Sequence, residues 1–186
     1  MTVREVLCET AELLGEEDLK TAIKNSNENS DAEIKRKTEI LLACFNTVQS
    51  EISINYQMPE KEIDVNGKQI DISNISPLPI KIISVLDEFG EKLDFSYKNN
   101  CIYTDYTAKK LIYGYVPQEK GIDDDFEFSG KLISKRAFKY GISAEYCLIE
   151  GRYEESVNWE SRYRQALEVK KDYSKIRLKA GTRWGL

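Results

Sequence analysis

The chain has 186 residues, a length typical of one domain or of one domain carrying a substantial insertion. It contains 27 Lys and Arg against 32 Asp and Glu, and the net charge of −5 argues against a general nucleic-acid binder. It contains no histidine, which excludes Ser–His and Cys–His nucleophile pairs, imidazole zinc sites and the usual proton shuttle at neutral pH.

The four cysteines stand far apart in the sequence, at Cys8, Cys44, Cys101 and Cys147. This spacing excludes a CxxC pair and therefore a zinc ribbon or a thioredoxin-like motif. No signal-peptide pattern and no bilayer-length apolar run is visible. We therefore expect a protein made in a reducing cytoplasm, with its cysteines as small buried hydrophobic residues.

Two helices are predicted over residues 1–50. In the first, over residues 3–14, apolar residues recur at spacings of three and four, and Thr2 with Glu5 forms a capping box. The second spans about residues 31–50 and carries one apolar face.

Residues 51–118 alternate between apolar and polar side chains, as short strands do. The first strand is expected at 52–56, and Asn66-Gly67 predicts a hairpin turn because it lies between two alternating runs. Further turns are expected at 87–90 and at Asn99-Asn100. The region predicts roughly six short strands, forming a small antiparallel sheet or barrel.

Two more helices are predicted within residues 119–173, separated by Gly151. Their apolar stripes consist of Leu132, Ile133, Ala137, Tyr140, Ala144, Cys147 and Leu148 in the first helix, and of Tyr153, Val157, Tyr163, Ala166 and Leu167 in the second. An acidic loop precedes them and contains Asp123, Asp124, Asp125 and Glu127. This loop is either a divalent-cation site or a solvated loop, and it lacks the spacing and central glycine of an EF-hand.

The chain ends in a basic tail over residues 174–186, in which cationic and apolar residues alternate as in an edge strand or an extended arm. Its Arg-Trp pair is typical of an anchor in a partner's pocket. The alternatives are a tryptophan folded back on its own domain and a tail that grips nucleic acid. The candidate partner-binding residues are Lys175, Ile176, Arg177, Leu178, Lys179, Arg183 and Trp184.

The predicted fold class is α+β. Two N-terminal and two C-terminal helices form a four-helix bundle-like core, from which the sheet or barrel is an insertion and the tail an extended C-terminal arm. The boundaries are 1–50, 51–118, 119–173 and 174–186. No pattern nominates a catalytic residue, a metal site or a cofactor, so we expect a protein that is not an enzyme.

The arrangement resembles that of bacteriophage head–tail adaptor (connector) proteins, including the tail-tubular gatekeeper relatives of short-tailed phages, in its N-terminal helices, its β insertion and residues 137–167. In that family a G-x-Y-x-x-A turn leads into a final helix bearing the pattern w..rY..al. The corresponding residues here are Gly151, Tyr153, Ser156, Trp159, Arg162, Tyr163, Ala166 and Leu167. Ser156 departs from the pattern, since Ala is common there. Of these, Gly151, Tyr153, Trp159, Arg162 and Tyr163 form the helix packing motif.

The resemblance implies a non-enzymatic virion protein of the phage neck, made in the bacterial host cytoplasm and without contact to a membrane. Copies would form a homo-oligomeric ring, usually twelve-fold, between the portal protein and the next neck or tail protein. Genomic DNA would pass through without sequence-specific binding, and the C-terminal arm would reach the portal. The alternatives are a tail-completion protein or other virion assembly factor, and a small enzyme or nucleic-acid-binding module.

Overall fold

The computed structural model describes residues 2–27, 31–126 and 134–180, with side chains described as far as residue 167. The helices are α1 (Val3–Leu13), α2 (Glu17–Lys24), α3 (Ala32–Asn55), α4 (Lys135–Ile149) and α5 (Tyr153–Ala180). The strands are β1 (Glu60–Asp71), β2 (Lys81–Leu86), β3 (Lys92–Leu93), β4 (Phe95–Lys98) and β5 (Cys101–Gly114).

The chain divides into two compact units: a helical unit of residues 1–49 and 119–186, and a β unit of residues 50–118. Within the described ranges, none of the helices combines the length and the apolar character that crossing a bilayer requires.

Two sets of hydrogen bonds hold the start of α1. The predicted capping box is confirmed, because Thr2 accepts the amide of Glu5 and the Glu5 carboxylate accepts the amide of Thr2. The loop that follows the β unit supplies two more acceptors. The amide of Val3 donates to the Asp124 carbonyl at 2.9 Å, and that of Arg4 to the Ile122 carbonyl at 2.8 Å. These bonds satisfy donors that a helix N-terminus otherwise leaves unpaired.

The centre of the helical unit is an aromatic cluster that joins three separate parts of the chain. The ring centroids of Phe45 and Phe138 lie 5.5 Å apart, and Phe126 packs edge-on at 5.5 Å from Phe45 and 4.7 Å from Phe138. All three side chains are buried. Such edge-to-face pairs contribute about 0.5–1.5 kcal/mol beyond the burial of their area.

Two helices differ from the prediction. The short helix α2 was not predicted, because its eight residues carry only two buried apolar side chains, Leu19 and Ile23. Helix α3 continues through Asn55, so the expected strand at 52–56 is wrong. Ile52 is buried four residues after Val48 and extends the helical stripe, whereas its alternating neighbour Ile54 is 61% exposed.

The prediction of an extended C-terminal arm over residues 174–186 is also wrong for residues 174–180. Helix α5 runs to Ala180 and therefore includes Lys175, Ile176, Arg177, Leu178 and Lys179 in a helical backbone. Over five residues, alternation does not distinguish a strand from a helix, and Lys, Arg, Leu and Ala are all good helix formers. Arg183 and Trp184 lie outside the described residues.

The β unit is an open antiparallel sheet in the order β1-β5-β2-β3, with β4 also paired to β5. Its core consists of Ile70, Ile72, Val85, Ile102, Ala108, Leu111 and Tyr113. The prediction of an inserted antiparallel sheet is confirmed in the form of an open sheet, and the four-helix bundle stays a prediction.

Asn66-Gly67 is not a hairpin turn. It lies inside β1, at shifts in the register between β1 and β5 that mark a bulge. A bulge adds a residue to one strand, so the side chains on either side of it change faces. The inward side chains of β1 accordingly change from Ile63 and Val65 to Ile70. A bulge and a hairpin leave a similar pattern in the sequence, and this is why the turn prediction failed.

The turns at 87–90 and at Asn99-Asn100 are confirmed. Asn99 and Asn100 both have positive φ, 52° and 57°, as the two-residue turn between β4 and β5 requires. The Asp87 carboxylate accepts the amides of Phe89 and Glu91, each at 2.9 Å, and closes the turn after β2.

Candidate interaction surfaces

The acidic loop has a structural role in the helical unit. The Asp123 carboxylate accepts a hydrogen bond from Arg4 Nε at 2.8 Å, and this bond is the main cause that lowers the pKa of Asp123. The Asp124 carboxylate accepts the amide of Gly121, also at 2.8 Å. No group of three or more His, Cys, Asp or Glu that could hold a metal ion occurs among the described residues. Residues 122–124 of the loop hold the start of α1 through these bonds and the two backbone bonds to Val3 and Arg4, and Glu127 lies outside the described residues.

An ion-pair network surrounds the turn between α4 and α5. Arg36 donates two hydrogen bonds to the Glu150 carboxylate, at 2.8 and 3.0 Å, and these bonds lower the pKa of Glu150. Glu16, which precedes α2, accepts Lys37 Nζ at 2.9 Å and an Arg152 guanidinium nitrogen at 3.3 Å. The network connects α2, α3 and both helices of the turn.

Large apolar side chains are exposed beside this turn. We call Leu148, Ile149, Tyr153 and Val157, which are 50–69% exposed, the apolar flank. Leu148, Tyr153 and Val157 were predicted to belong to buried stripes, and that prediction is wrong. The stripe of α5 that packs inward consists of Ser156, Tyr163 and Leu167, and Tyr153 and Val157 lie to one side of it.

Two aromatic rings, each with a guanidinium group beside it, lie where α4 meets the other side of α5. Tyr140 and Trp159 stack with centroids 5.5 Å apart and ring planes 32° apart. Arg136 Cζ lies 5.3 Å from the Tyr140 centroid, and Arg162 Cζ lies 4.7 Å from the Trp159 centroid. We call these four residues the cation–aromatic ladder. Tyr140 is buried and Trp159 half-buried, whereas both arginines are exposed.

The β unit exposes aromatic rings of its own. Phe89, in the turn after β2, is 82% exposed, and Tyr106 in β5 is 71% exposed. Both line an open groove together with charged side chains of β3 and β5. Phe95, Tyr97 and Tyr103 are each at least 37% exposed on β4 and β5. Aromatic side chains of this kind are enriched at protein interfaces.

All four cysteines are free. Cys44 and Cys147 are buried as predicted, and burial raises the pKa of the Cys44 thiol to about 12. Cys8 and Cys101 are only half-buried, so the prediction is wrong for these two.

The structure brings part of the predicted packing motif together. Gly151 has φ +75° and forms the turn, and the buried Tyr163 ring packs where a Cβ on Gly141 would lie 3.1 Å from it. Trp159 and Arg162 lie together in the ladder, whereas Tyr153 belongs to the apolar flank. Sequence reasoning missed Arg136 in the ladder, although its spacing of four residues from Tyr140 matches neighbours on one helix face.

Comparison with known proteins adds no assignment, because no family model and no curated protein matches the chain.

Proposed function

We propose that the chain is a structural protein of the bacteriophage neck. Its copies form a ring that joins the portal to the next neck or tail protein, and DNA passes through the ring. The apolar flank carries the proposal, because four large apolar side chains are exposed around the turn between α4 and α5 of an acidic protein. Exposed apolar surface of this kind marks sites that another protein covers.

The flank lies within the segment that resembles head–tail adaptors. Tyr153 belongs both to the flank and to the helix packing motif of that resemblance. Ring closure needs two different complementary patches on each subunit. The apolar flank is the candidate for one of these patches. The ion-pair network around Glu16 and Glu150 keeps the turn beside the flank in one geometry, so the flank can bind without prior ordering of the helices.

The test is assembly of the purified chain with the portal protein encoded by the same genome. We expect ring-shaped particles in electron micrographs of the mixture. The double variant Tyr153→Ser, Val157→Ser should fold and fail to join these particles. Asn158→Ser, an exposed change on the same helix, is the matched control and should assemble normally. Rings formed equally well by the double variant would contradict the role of the flank, and the absence of the chain from mature particles would favour an assembly factor.

The tail has its own experiment. Deleting residues 181–186 leaves every described element intact, whereas deleting 174–186 also shortens α5. If Arg183 and Trp184 anchor the chain on the portal, the shorter deletion alone should abolish portal binding. Full binding after that deletion would show that the anchor lies elsewhere.

A further inference from the structure

We propose that the cation–aromatic ladder is a docking surface for a carboxylate-rich segment of another protein. The inference does not depend on the neck role proposed above, because it rests only on the geometry and charge of Arg136, Tyr140, Trp159 and Arg162. Tryptophan, tyrosine and arginine are the residues that most often dominate binding energy at protein interfaces.

The ladder carries two positive charges that differ from those of the other described arginines in having no acidic partner among the described residues. Six arginines have described side chains, and four of them form ion pairs: Arg4 with Asp123, Arg36 with Glu33 and Glu150, Arg152 with Glu16 and Glu155, and Arg164 with Glu160. The other two are the ladder arginines, for which the described residues offer no carboxylate within ion-pair distance.

The sequence around the two arginines explains this isolation. In a helix, a side chain meets the residues three and four positions away. Around Arg162 these positions hold Asn158, Trp159, Gln165 and Ala166, and on the C-terminal side of Arg136 they hold Lys139 and Tyr140. Among the arginines whose side chains the structure describes, the two without a carboxylate partner thus lie next to the two stacked rings.

The stacking decides which ligand the ladder fits. Each ring already has two neighbours in the ladder: Tyr140 contacts Arg136 and Trp159, and Trp159 contacts Tyr140 and Arg162. Arg136 Nε also donates a hydrogen bond to the Tyr140 hydroxyl. A nucleobase would have to compete with these neighbours for the rings on which it stacks. Both arginines remain exposed to solvent. A guanidinium stacked on a ring still presents paired N–H groups that fit a carboxylate in bidentate geometry.

Stacking also orders the two arginines before a partner arrives. An exposed arginine normally loses side-chain entropy when it binds, and contact with a ring limits that loss. The ladder therefore offers two oriented guanidiniums over a half-buried aromatic base. Its partner is a segment with at least two acidic side chains and some apolar surface.

The experiment measures binding of a fluorescein-labelled octaglutamate peptide to the full chain by fluorescence anisotropy at low salt. We expect saturable binding that weakens as salt is added. The variant Arg136→Gln, Arg162→Gln should lower the affinity at least tenfold. The control variant Lys92→Gln, Arg164→Gln removes the same number of charges outside the ladder and should lower it less than threefold. Far-UV circular dichroism and the melting temperature show whether each variant is folded.

A second variant tests geometry against charge. Arg162→Lys keeps the positive charge but lacks the planar guanidinium with its paired N–H donors. Its affinity for the peptide should therefore fall nearly as far as that of Arg162→Gln. Equal losses in the ladder and control variants would overturn the proposal in favour of general electrostatic attraction. Tighter binding of a labelled oligothymidylate than of octaglutamate would overturn it in favour of nucleic acid. A third outcome would also overturn the proposal: the wild-type chain does not bind the peptide but self-associates, and only the ladder variants abolish that self-association. The occupant of the ladder would then be a second copy of the chain.

Discussion

The helical unit and the β unit are stabilised in different ways. The helical unit joins segments that are far apart in the sequence, through the Phe45–Phe126–Phe138 cluster and ion pairs such as Arg36–Glu150. The β unit is one continuous stretch of chain, and its core consists of buried side chains from within that stretch. The helical unit therefore depends on contacts between residues distant in sequence, whereas the β unit forms from contacts within residues 50–118.

The largest effect is expected in the aromatic cluster. Phe138→Ala should lower the free energy of unfolding by about 3–5 kcal/mol, because it opens a cavity among buried rings. Phe89→Ala makes the same change at an exposed ring of the β unit and should change it by less than about 0.5 kcal/mol. Urea denaturation followed by circular dichroism measures both. Similar losses for the two variants would mean that the exposed ring of Phe89 is also covered.

A core substitution in the β unit tests whether the two units respond separately. Leu111→Ala should cost about 2–5 kcal/mol, since this side chain is fully buried in the sheet core. Hydrogen exchange should accelerate at amides of residues 50–118 more than at those of α4 and α5. Leu78→Ala, at a site 60% exposed in the same unit, is the control and should leave exchange unchanged. Equal acceleration throughout the chain would show that the units unfold together.

A smaller and pH-dependent effect is expected in the ion-pair network. The Arg36 guanidinium holds the pKa of Glu150 below its ordinary value of 4.5. A carboxyl group whose pKa is lowered by folding stabilises the protein above its ordinary pKa, and this stabilisation is lost as the pH falls below it. Glu150→Gln should therefore lower the melting temperature by about 2–4 °C at pH 7.

At acid pH the melting temperature of this variant should approach that of wild type, and the two should coincide once Glu150 is protonated in both folded and unfolded chains. Glu39→Gln removes an exposed carboxylate from the same helix, α3, and should have little effect at either pH. A difference between wild type and Glu150→Gln that persisted unchanged into acid would show that charge at this site is not the cause.

The smallest change in the free energy of unfolding is expected from removing a buried hydroxyl group in each of the two units. The hydroxyls of Tyr113 in the β unit and Tyr146 in the helical unit are buried and have no hydrogen-bond partner among the described residues. Tyr113→Phe and Tyr146→Phe each remove such a group and should stabilise the protein by up to about 1 kcal/mol. Differential scanning calorimetry measures both variants. A destabilisation by more than 1 kcal/mol in either would mean that its hydroxyl has a partner in solution.

The sequence predicted the elements whose signals are local. The capping box of Thr2, the Asn99-Asn100 turn and the separation of α4 from α5 at Gly151 each depend on residues within a few positions of one another. The errors arose where one pattern fits two structures. Asn66-Gly67 fits a turn or a bulge, and the alternating residues at 52–56 continue a helical stripe as well as they would begin a strand.

The interaction surfaces were less predictable than the fold. A sequence shows that Tyr153 and Val157 are apolar, but the side of α5 that α4 covers depends on packing between the helices. The stack of Tyr140 on Trp159 likewise joins two helices whose relative rotation no local pattern specifies. The isolation of Arg136 and Arg162 becomes visible only when every other described arginine has been assigned its carboxylate.

The hydrogen bonds from the first turn of α1 to the carbonyls of Ile122 and Asp124 constrain the order in which the chain can mature on the ribosome. When translation reaches residue 118, the whole β unit has been synthesised, whereas the acceptors for α1 have not. We expect the inserted sheet to fold first. The N-terminal helices that precede it would keep their apolar faces exposed to solvent until the last third of the chain has been synthesised. Newly made copies would therefore need chaperone protection at their beginning and not in their middle.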